Sequence, residues 1–111
     1  VLTSIERMKC SYIDVLQLHD PEFAEDNLDL LVEETIPALI RLRDVEKLVR
    51  AIGMTGYSLR VQKELLHRTY ERYGITFDQS LTYCHYNLHD QSLFQSNSDN
   101  TASFATYCKQ H

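Results

Sequence analysis

Residues 12–21 read Tyr-Ile-Asp-Val-Leu-Gln-Leu-His-Asp-Pro, and this stretch decides the fold. Its first seven residues, 12–18, form a short and mostly apolar run that contains β-branched and aromatic side chains. Such a run is typical of a strand that is buried on both faces, as strands of parallel sheets usually are. Pro21 has no backbone N–H, so we expect the strand to stop at His19 and Asp20.

The same strand pattern recurs twice, and each strand is followed by a helical pattern. Because the strand starts lie roughly 30 to 40 residues apart, as in a βαβ unit, the sequence predicts an α/β fold with a parallel sheet. The predicted strands cover residues 12–18, 49–53 and 80–86, and the predicted helices cover 33–48, 59–73 and 101–110 after a helix end at 1–9.

The ends of the predicted helices are marked by particular residues. Pro37 is tolerated in the first turn of a helix, which indicates Glu34 or Thr35 as the cap of the 33–48 helix. Gly74 fits the left-handed position that ends many helices. The first residue is Val1, and no strand follows the last helix. We therefore expect a slice of a larger α/β fold, with weak stability on its own.

Length and composition limit the class of protein. The chain has 111 residues, of which 43% are hydrophobic and 24% charged, as in a soluble globular domain. It is too short for a complete eight-stranded barrel, which typically needs ~250 residues. A formal net charge of −5 disfavours nucleic acids and anionic membranes as partners. No apolar run approaches the ~20 residues of a transmembrane helix.

The cysteine pattern indicates a cytoplasmic protein with reduced thiols. Cys10, Cys84 and Cys108 are odd in number and widely spaced, and we expect each to be a small buried residue. Cys84-His85 with His89 resembles a partial metal site. Neighbouring strand residues point to opposite faces, however, and no second close pair completes four ligands. We therefore predict no bound metal.

Polar residues occupy the carboxyl end of every predicted strand, at residues 19–20, 55–56 and 85–87. In parallel α/β folds, ligands bind at the carboxyl ends of the strands. We therefore expect the functional site at this edge of the sheet. Phosphate-binding GxGxxG or Walker A loops are absent from the sequence.

Each of these residues also has a purely structural interpretation. His19 can bond a substrate oxygen or move a proton, or it can be a partly buried histidine bonded to backbone. Asp20 can orient His19 or cap the next turn, and its turn chemistry favours the cap. Thr55 and Gly56 can hold an amide or a phosphate, although their spacing favours an ordinary turn.

Four segments resemble the aldo-keto reductase family in sequence and in order: YIDVLQLHD at 12–20, ETIPAL at 34–39, VRAIGMTGY at 49–57 and YCHYNL at 83–88. The combination is most similar to the branch that includes L-galactose dehydrogenase and D-threo-aldose 1-dehydrogenase. The resemblance implies that residues 1–111 form a single partial domain. That domain would be part of a TIM (β/α)8 barrel, with roughly strands four to six and their helices.

The resemblance also implies an activity, a cofactor and residue roles. The activity is NAD(P)-dependent hydride transfer between nicotinamide and a sugar or another aldehyde or ketone, with a small-molecule substrate. In the family, His19 would line the carbonyl pocket, and Thr55 and Gly56 would bind the nicotinamide carboxamide. Tyr83 would take the place of a glutamine that faces the nicotinamide.

Several family features are absent from this sequence. The resemblance implies that the catalytic Tyr, Asp and Lys lie on earlier strands and the adenosine-phosphate site on later loops, so the activity is expected of a longer parent protein. The alternative is a truncated or degenerate relative that acts by binding alone, through an open sheet edge. Family members usually have a glycine that ends the helix just before the segment that corresponds to residues 47–50. This sequence has no glycine at that point.

Overall fold

The fold is an open sheet of three parallel strands with helices packed on one face. The computed structural model describes residues 1–96 and 102–110. The strands are β1 (Ile13–His19), β2 (Val49–Gly56) and β3 (Gln79–Thr82), in the order β1-β2-β3. Both pairings are parallel, which confirms the predicted sheet. The helices are α1 (Leu2–Met8), α2 (Leu28–Leu30), α3 (Ile36–Asp44), α4 (Leu59–Tyr73) and α5 (Phe104–Gln110).

The strand bounds differ from the prediction at their carboxyl ends. β2 continues past Gly53 to Gly56 because it pairs with β1 on one side and β3 on the other over that stretch. β3 was predicted to reach residue 86, but it stops at Thr82. The chain leaves the sheet there because Cys84 has a left-handed φ of 58°, which no strand accommodates.

The helix predicted over 33–48 begins earlier than expected. After a 3-10 turn at Pro21–Asn27, α2 leads through a π-helical turn, Leu31–Thr35, directly into α3. Pro37 therefore follows existing helical turns, and the wider π turn before it accommodates its missing N–H. Thr35 has helical backbone angles and its side chain caps nothing, so the predicted cap at Glu34 or Thr35 was wrong.

Left-handed residues end α3 and α4 in different ways. Gly74, with a φ of 66°, caps α4 as predicted. After α3, the left-handed position is taken by Lys47, with a φ of 55°. The N–H of Leu48 then donates to Leu42 O at 3.0 Å and returns the chain to β2. A residue with a Cβ loses about 1 kcal/mol in this conformation relative to glycine.

The core lies between the sheet and the helices. Side chains alternate along a strand, so Leu16 and Leu18 of β1 share a face with Ile52 and Met54 of β2. Ile52 and Met54 are fully buried, and each such side chain stabilises the fold by about 1.5–3 kcal/mol. The buried cluster consists of Leu28, Val32, Ile36, Leu39, Val49, Ile52, Met54, Val61, Leu65, Leu66, Phe77 and Phe104.

The opposite face of the sheet is smaller and more polar, and no described helix covers it. In register it carries Gln17 beside Gly53, and His19 beside Thr55. Val15 and Leu81 on this face remain 41% and 40% exposed. His19 and Thr55 therefore lie on the open face, at the carboxyl edge of the sheet.

Two further predictions concern the chain outside the sheet. The prediction that the cysteines are buried was wrong, since Cys10, Cys84 and Cys108 are all exposed. Cys10 and Cys84 lie at turns, next to or at a left-handed residue, and Cys108 lies on the terminal helix α5. The predicted start of that helix at Thr101 is outside the described residues. Among the described helices, none has the length and apolarity needed to cross a membrane.

Candidate functional site

Three of the predicted site residues meet at the carboxyl edge because of the strand register. His19 is the direct partner of Thr55 across the β1–β2 pairing, and Tyr83 follows the end of β3. Thr55 Oγ1 donates to Tyr83 Oη at 3.1 Å. The same phenol oxygen lies 3.4 Å from His19 Nε2. Three successive βα units therefore each contribute one polar group to a single cluster.

His19 is held by Asp20 rather than by backbone. The His19 Nδ1 atom lies 2.9 Å from Asp20 Oδ2, and the imidazole side chain is 67% exposed. The interpretation of His19 as a partly buried, backbone-bonded histidine was therefore wrong. The favoured cap role of Asp20 was also wrong, because its side chain makes no capping bond and its φ is 48°. This conformation lets the Asp20 N–H donate to Thr55 O at 2.8 Å while its carboxylate turns back to His19.

Thr55 and Gly56 are the last residues of β2 and do not form the ordinary turn that their spacing favoured. Both are buried, and Thr55 is 3% exposed. Gln62 on α4, which is fully buried, donates from Nε2 to Gly56 O at 2.8 Å. Its Oε1 accepts from Ser80 Oγ at 2.7 Å. Gln62 thus joins the ends of two strands to the helix behind them.

Glu22 packs directly against Gly56. Its Oε1 accepts from the Tyr57 N–H at 2.7 Å, while its Oε2 is buried and has no hydrogen-bond partner among the described residues. A Cβ on Gly56 would overlap Glu22 Oε2 and would lie 3.1 Å from Pro21 Cδ. A Cβ at position 56 would displace the Glu22 carboxylate and press on the Pro21 ring, so glycine permits this close approach.

The loop after β3 is fixed to the end of β2 by His85. His85 is 8% exposed, and its ring packs against the Tyr57 ring with the two centroids 4.8 Å apart. His85 Nε2 lies 2.5 Å from Tyr57 O, so Nε2 donates to this carbonyl. Nδ1 lies 2.8 Å from Ser92 Oγ, within hydrogen-bond distance. His85 therefore positions the loop by hydrogen bonds at both nitrogens.

Asp90 completes this loop. Its Oδ1 accepts from the Ser92 N–H at 2.7 Å, and hydrogen bonds from Ser92 hold the pKa of the Asp90 carboxyl below its usual range. Asn87 contributes further bonds, with its side chain donating to Cys84 O at 2.7 Å. Within residues 1–96 and 102–110, no group of three or more His, Cys, Asp or Glu side chains lies close enough to hold a metal ion.

Sequence reasoning found the three residues that meet at the edge but missed two of their neighbours. Gln62 had one available signal, which is a polar residue on the inner face of a helix between Val61 and Leu65. Glu22 had none, because it lies between the predicted strand at 12–18 and the predicted helix at 33–48. Its approach to Gly56 depends on how the 3-10 turn folds over β2.

Comparison with known proteins shows the family of the chain. The aldo/keto reductase family profile matches residues 1–111, which is the whole chain. The chain belongs to the aldo/keto reductase family. It is also 42% identical over 90 residues to the L-galactose dehydrogenase of Arabidopsis thaliana. That alignment covers 81% of this chain and 26% of the relative, so the chain spans about a quarter of that relative's length.

Members of the aldo/keto reductase family are generally NAD(P)-dependent oxidoreductases that act on small carbonyl compounds. Three parallel strands in an open sheet, with the strand–helix alternation described above, are consistent with part of the family's TIM barrel. In such barrels, functional groups lie at the carboxyl ends of the strands. His19, Thr55 and Tyr83 lie at that edge.

Proposed function

We propose that this chain carries part of the active site of an NAD(P)-dependent oxidoreductase, which transfers hydride between nicotinamide and a sugar or another aldehyde or ketone. One observation carries the proposal: His19, Thr55 and Tyr83 form a hydrogen-bonded cluster at the carboxyl edge of a parallel sheet. Residues 1–111 would be a single partial domain with strands four to six of a barrel. The exposed thiols suit a reducing cytoplasmic environment.

His19 is assigned to the substrate oxygen. Its ring projects into solvent from the end of β1, and Asp20 fixes its orientation through Nδ1. Nε2 is thereby directed along the open face, next to Tyr83 Oη. A histidine in this setting can hold the reacting oxygen by a hydrogen bond and can move a proton at Nε2.

Thr55, Gly56 and Tyr83 are assigned to the nicotinamide. The donor chemistry fits a carboxamide, because the amide carries N–H donors and this edge offers acceptors. Thr55 Oγ1 keeps lone pairs after donating to Tyr83, and the buried Glu22 Oε2 beside Gly56 lacks a donor. The Tyr83 ring adds an aromatic surface at the same edge. When bound, nicotinamide supplies or accepts the hydride.

A sugar is proposed as the substrate because of two lines of support. The relative from Arabidopsis thaliana is an L-galactose dehydrogenase, and this chain is 42% identical to it over 90 residues. The site offers polar groups suited to hydroxyls, namely the imidazole of His19 and the phenol of Tyr83. The family resemblance assigns the proton-donating tyrosine and its partners to earlier strands, so turnover is expected of a polypeptide that includes them.

The first experiment is the intact mass of the protein as its own cells produce it. We expect a mass well above 13.0 kDa. That polypeptide is then assayed for NADPH-linked reduction and for NAD-linked sugar oxidation. His19→Ala should lower kcat/KM roughly 100-fold, as loss of a positioned proton-transfer group does. His67→Ala is the matched control, because His67 lies on α4 away from the edge.

Turnover that survives His19→Ala unchanged would refute the role assigned to His19. A mass near 13.0 kDa together with no turnover would refute the enzyme proposal for this chain.

A second candidate function is binding without catalysis. Its support is that β1 and β3 are each paired on one side only within the described residues, which leaves two open strand edges. An extended segment of a partner can add to such an edge through main-chain hydrogen bonds. This alternative predicts a natural product near 13.0 kDa that is folded or dimeric and has no reductase turnover.

A further inference from the structure

A chain of four polar groups crosses the carboxyl edge of the sheet. It runs from Asp20 Oδ2 to His19 Nδ1 at 2.9 Å, and from His19 Nε2 to Tyr83 Oη at 3.4 Å. It ends with Thr55 Oγ1, which lies 3.1 Å from Tyr83 Oη. Because each link joins two defined atoms, the direction of every hydrogen bond follows once the direction at one end is known.

Asp20 sets that direction. An ionised carboxylate carries only lone pairs, and at 2.9 Å it disfavours a lone pair on His19 Nδ1, so in the neutral ring Nδ1 carries the hydrogen. A neutral imidazole has one such hydrogen, and Nε2 is therefore left with a lone pair that accepts. Tyr83 Oη is the neighbouring group that can donate to Nε2. Its single hydrogen is then used, so Thr55 Oγ1, 3.1 Å away, donates to Tyr83 Oη.

Hydrogen bonds, rather than packing, determine the orientation and the tautomer of the His19 ring. The side chain is 67% exposed, so surrounding atoms do not fix its position or its tautomer. Thr55, by contrast, is 3% exposed and its hydroxyl has a fixed direction. Thr55 is therefore the most tightly held of the four polar groups, and Tyr83 links it to His19 Nε2.

We infer that Tyr83 is a positioning residue that holds neutral His19 as the Nδ1–H tautomer, with Nε2 as a hydrogen-bond acceptor. A substrate that reaches Nε2 replaces Tyr83 as the donor, so the neutral ring favours a substrate hydroxyl over a carbonyl. In the Nδ1–H tautomer, Nε2 can donate to a carbonyl only after the ring gains a second proton at Nε2. The presence of substrate at His19 rests on the proposed function, whereas the tautomer is a property of this chain alone.

The test is the protonation state of the histidine side-chain nitrogens, measured by long-range ¹⁵N–¹H correlation on the chain. The spectra are recorded over a range of pH, and the tautomer is read where each imidazole ring is neutral. We expect His19 to show a protonated Nδ1 and an unprotonated Nε2. His67 on α4, whose side chain is 51% exposed, is the internal reference for a histidine outside this cluster.

Tyr83→Phe removes the donor to Nε2 and keeps the ring. We expect the ratio of Nδ1–H to Nε2–H tautomer at His19 to fall about fivefold, which is the change that one net hydrogen bond supports. Tyr86→Phe is the matched control, because the Tyr86 side chain is exposed and contacts Phe94 through its ring. That variant should leave the ratio unchanged.

Two results would overturn the inference: an Nε2–H tautomer at His19 in the unmodified chain, or an unchanged ratio in Tyr83→Phe. If Tyr83→Phe unfolds the chain, Thr55→Val replaces it, since it removes the hydroxyl behind Tyr83 at nearly constant volume. The ratio should then fall in the same direction by a smaller factor, and an unchanged ratio would again overturn the inference. The measurement needs no cofactor, so absent turnover with the tautomer retained counts against the proposed function alone.

Discussion

Replacing Gln62 by leucine tests what holds the carboxyl edge of the sheet together. Gln62 is fully buried on α4 and makes two hydrogen bonds, one to Gly56 O at 2.8 Å and one from Ser80 Oγ at 2.7 Å. Leucine nearly preserves the volume but can make neither bond. The perturbation therefore removes polar contacts at the ends of β2 and β3 without creating a large cavity.

The magnitude follows from the groups left behind. A buried polar group that loses its partner costs about 1–3 kcal/mol. Gly56 is buried, so its carbonyl takes most of this cost, whereas Ser80 is only partly buried and its hydroxyl can reach water. Removing the glutamine amide from the interior returns part of the loss. We expect Gln62→Leu to lower the free energy of unfolding by about 2 kcal/mol.

Urea unfolding followed by circular dichroism is the assay. With a slope of about 2 kcal/mol per molar urea, the expected loss moves the midpoint down by about 1 M at an unchanged slope. Gln110→Leu on α5 is the matched control, because Gln110 is exposed, and it should change stability by less than about 0.5 kcal/mol.

The double variant Gln62→Leu with Ser80→Ala should regain less than about 0.5 kcal/mol, since the partly buried Ser80 hydroxyl already reaches water in the single variant. A loss below about 0.5 kcal/mol for Gln62→Leu would refute the reasoning.

Other predictions concern a backbone position and a carboxyl group. Lys47→Gly should raise the free energy of unfolding by about 1 kcal/mol, because glycine adopts the left-handed φ of 55° without strain. Lys47→Ala, which loses the charge but keeps the strain, should show no gain in the same urea assay. Asp90 has a pKa held below its usual range by Ser92, so its stabilising effect is present above the ordinary value of about 3.9 and is lost as pH falls through the lower folded pKa. The Ser92 amide shift should therefore titrate below about pH 3.9 and stay flat in Asp90→Asn; a midpoint above that value contradicts the assignment.

The sequence pattern predicted strands and helices well where all the local signals in a segment indicate the same element. α4 matches its predicted bounds because its amphipathic face and Gly74 agree. The start of the helix around Pro37 was wrong because the pattern gives no sign of a π-helical turn at Leu31–Thr35. The end of β3 was wrong because Cys84 takes a left-handed conformation that non-glycine residues rarely adopt.

The candidate site likewise contains contacts that the sequence predicted and contacts that it did not. His19 and Thr55 were predictable as neighbours, since the carboxyl ends of parallel strands share one edge and the register pairs them directly. The pairing of Asp20 with His19 was not favoured, because the choice depends on the left-handed φ of Asp20, which places its carboxylate behind the ring. The approach of Glu22 to Gly56 depends on tertiary packing of a 3-10 turn, which local spacing does not encode.

The unequal pairing of the three strands sets the order in which the site opens. β2 pairs with β1 from Ile13 to His19 but with β3 only from Gln79 to Thr82. Local unfolding begins where fewest interactions are lost, so β3 should detach first. Amide protons of β3 should then exchange with solvent sooner than those shared by β1 and β2. In such an opening, Tyr83 moves away with β3, whereas His19 and Thr55 stay paired. Local unfolding of β3 would therefore free His19 Nε2 from Tyr83 while the β1–β2 part of the site stays folded.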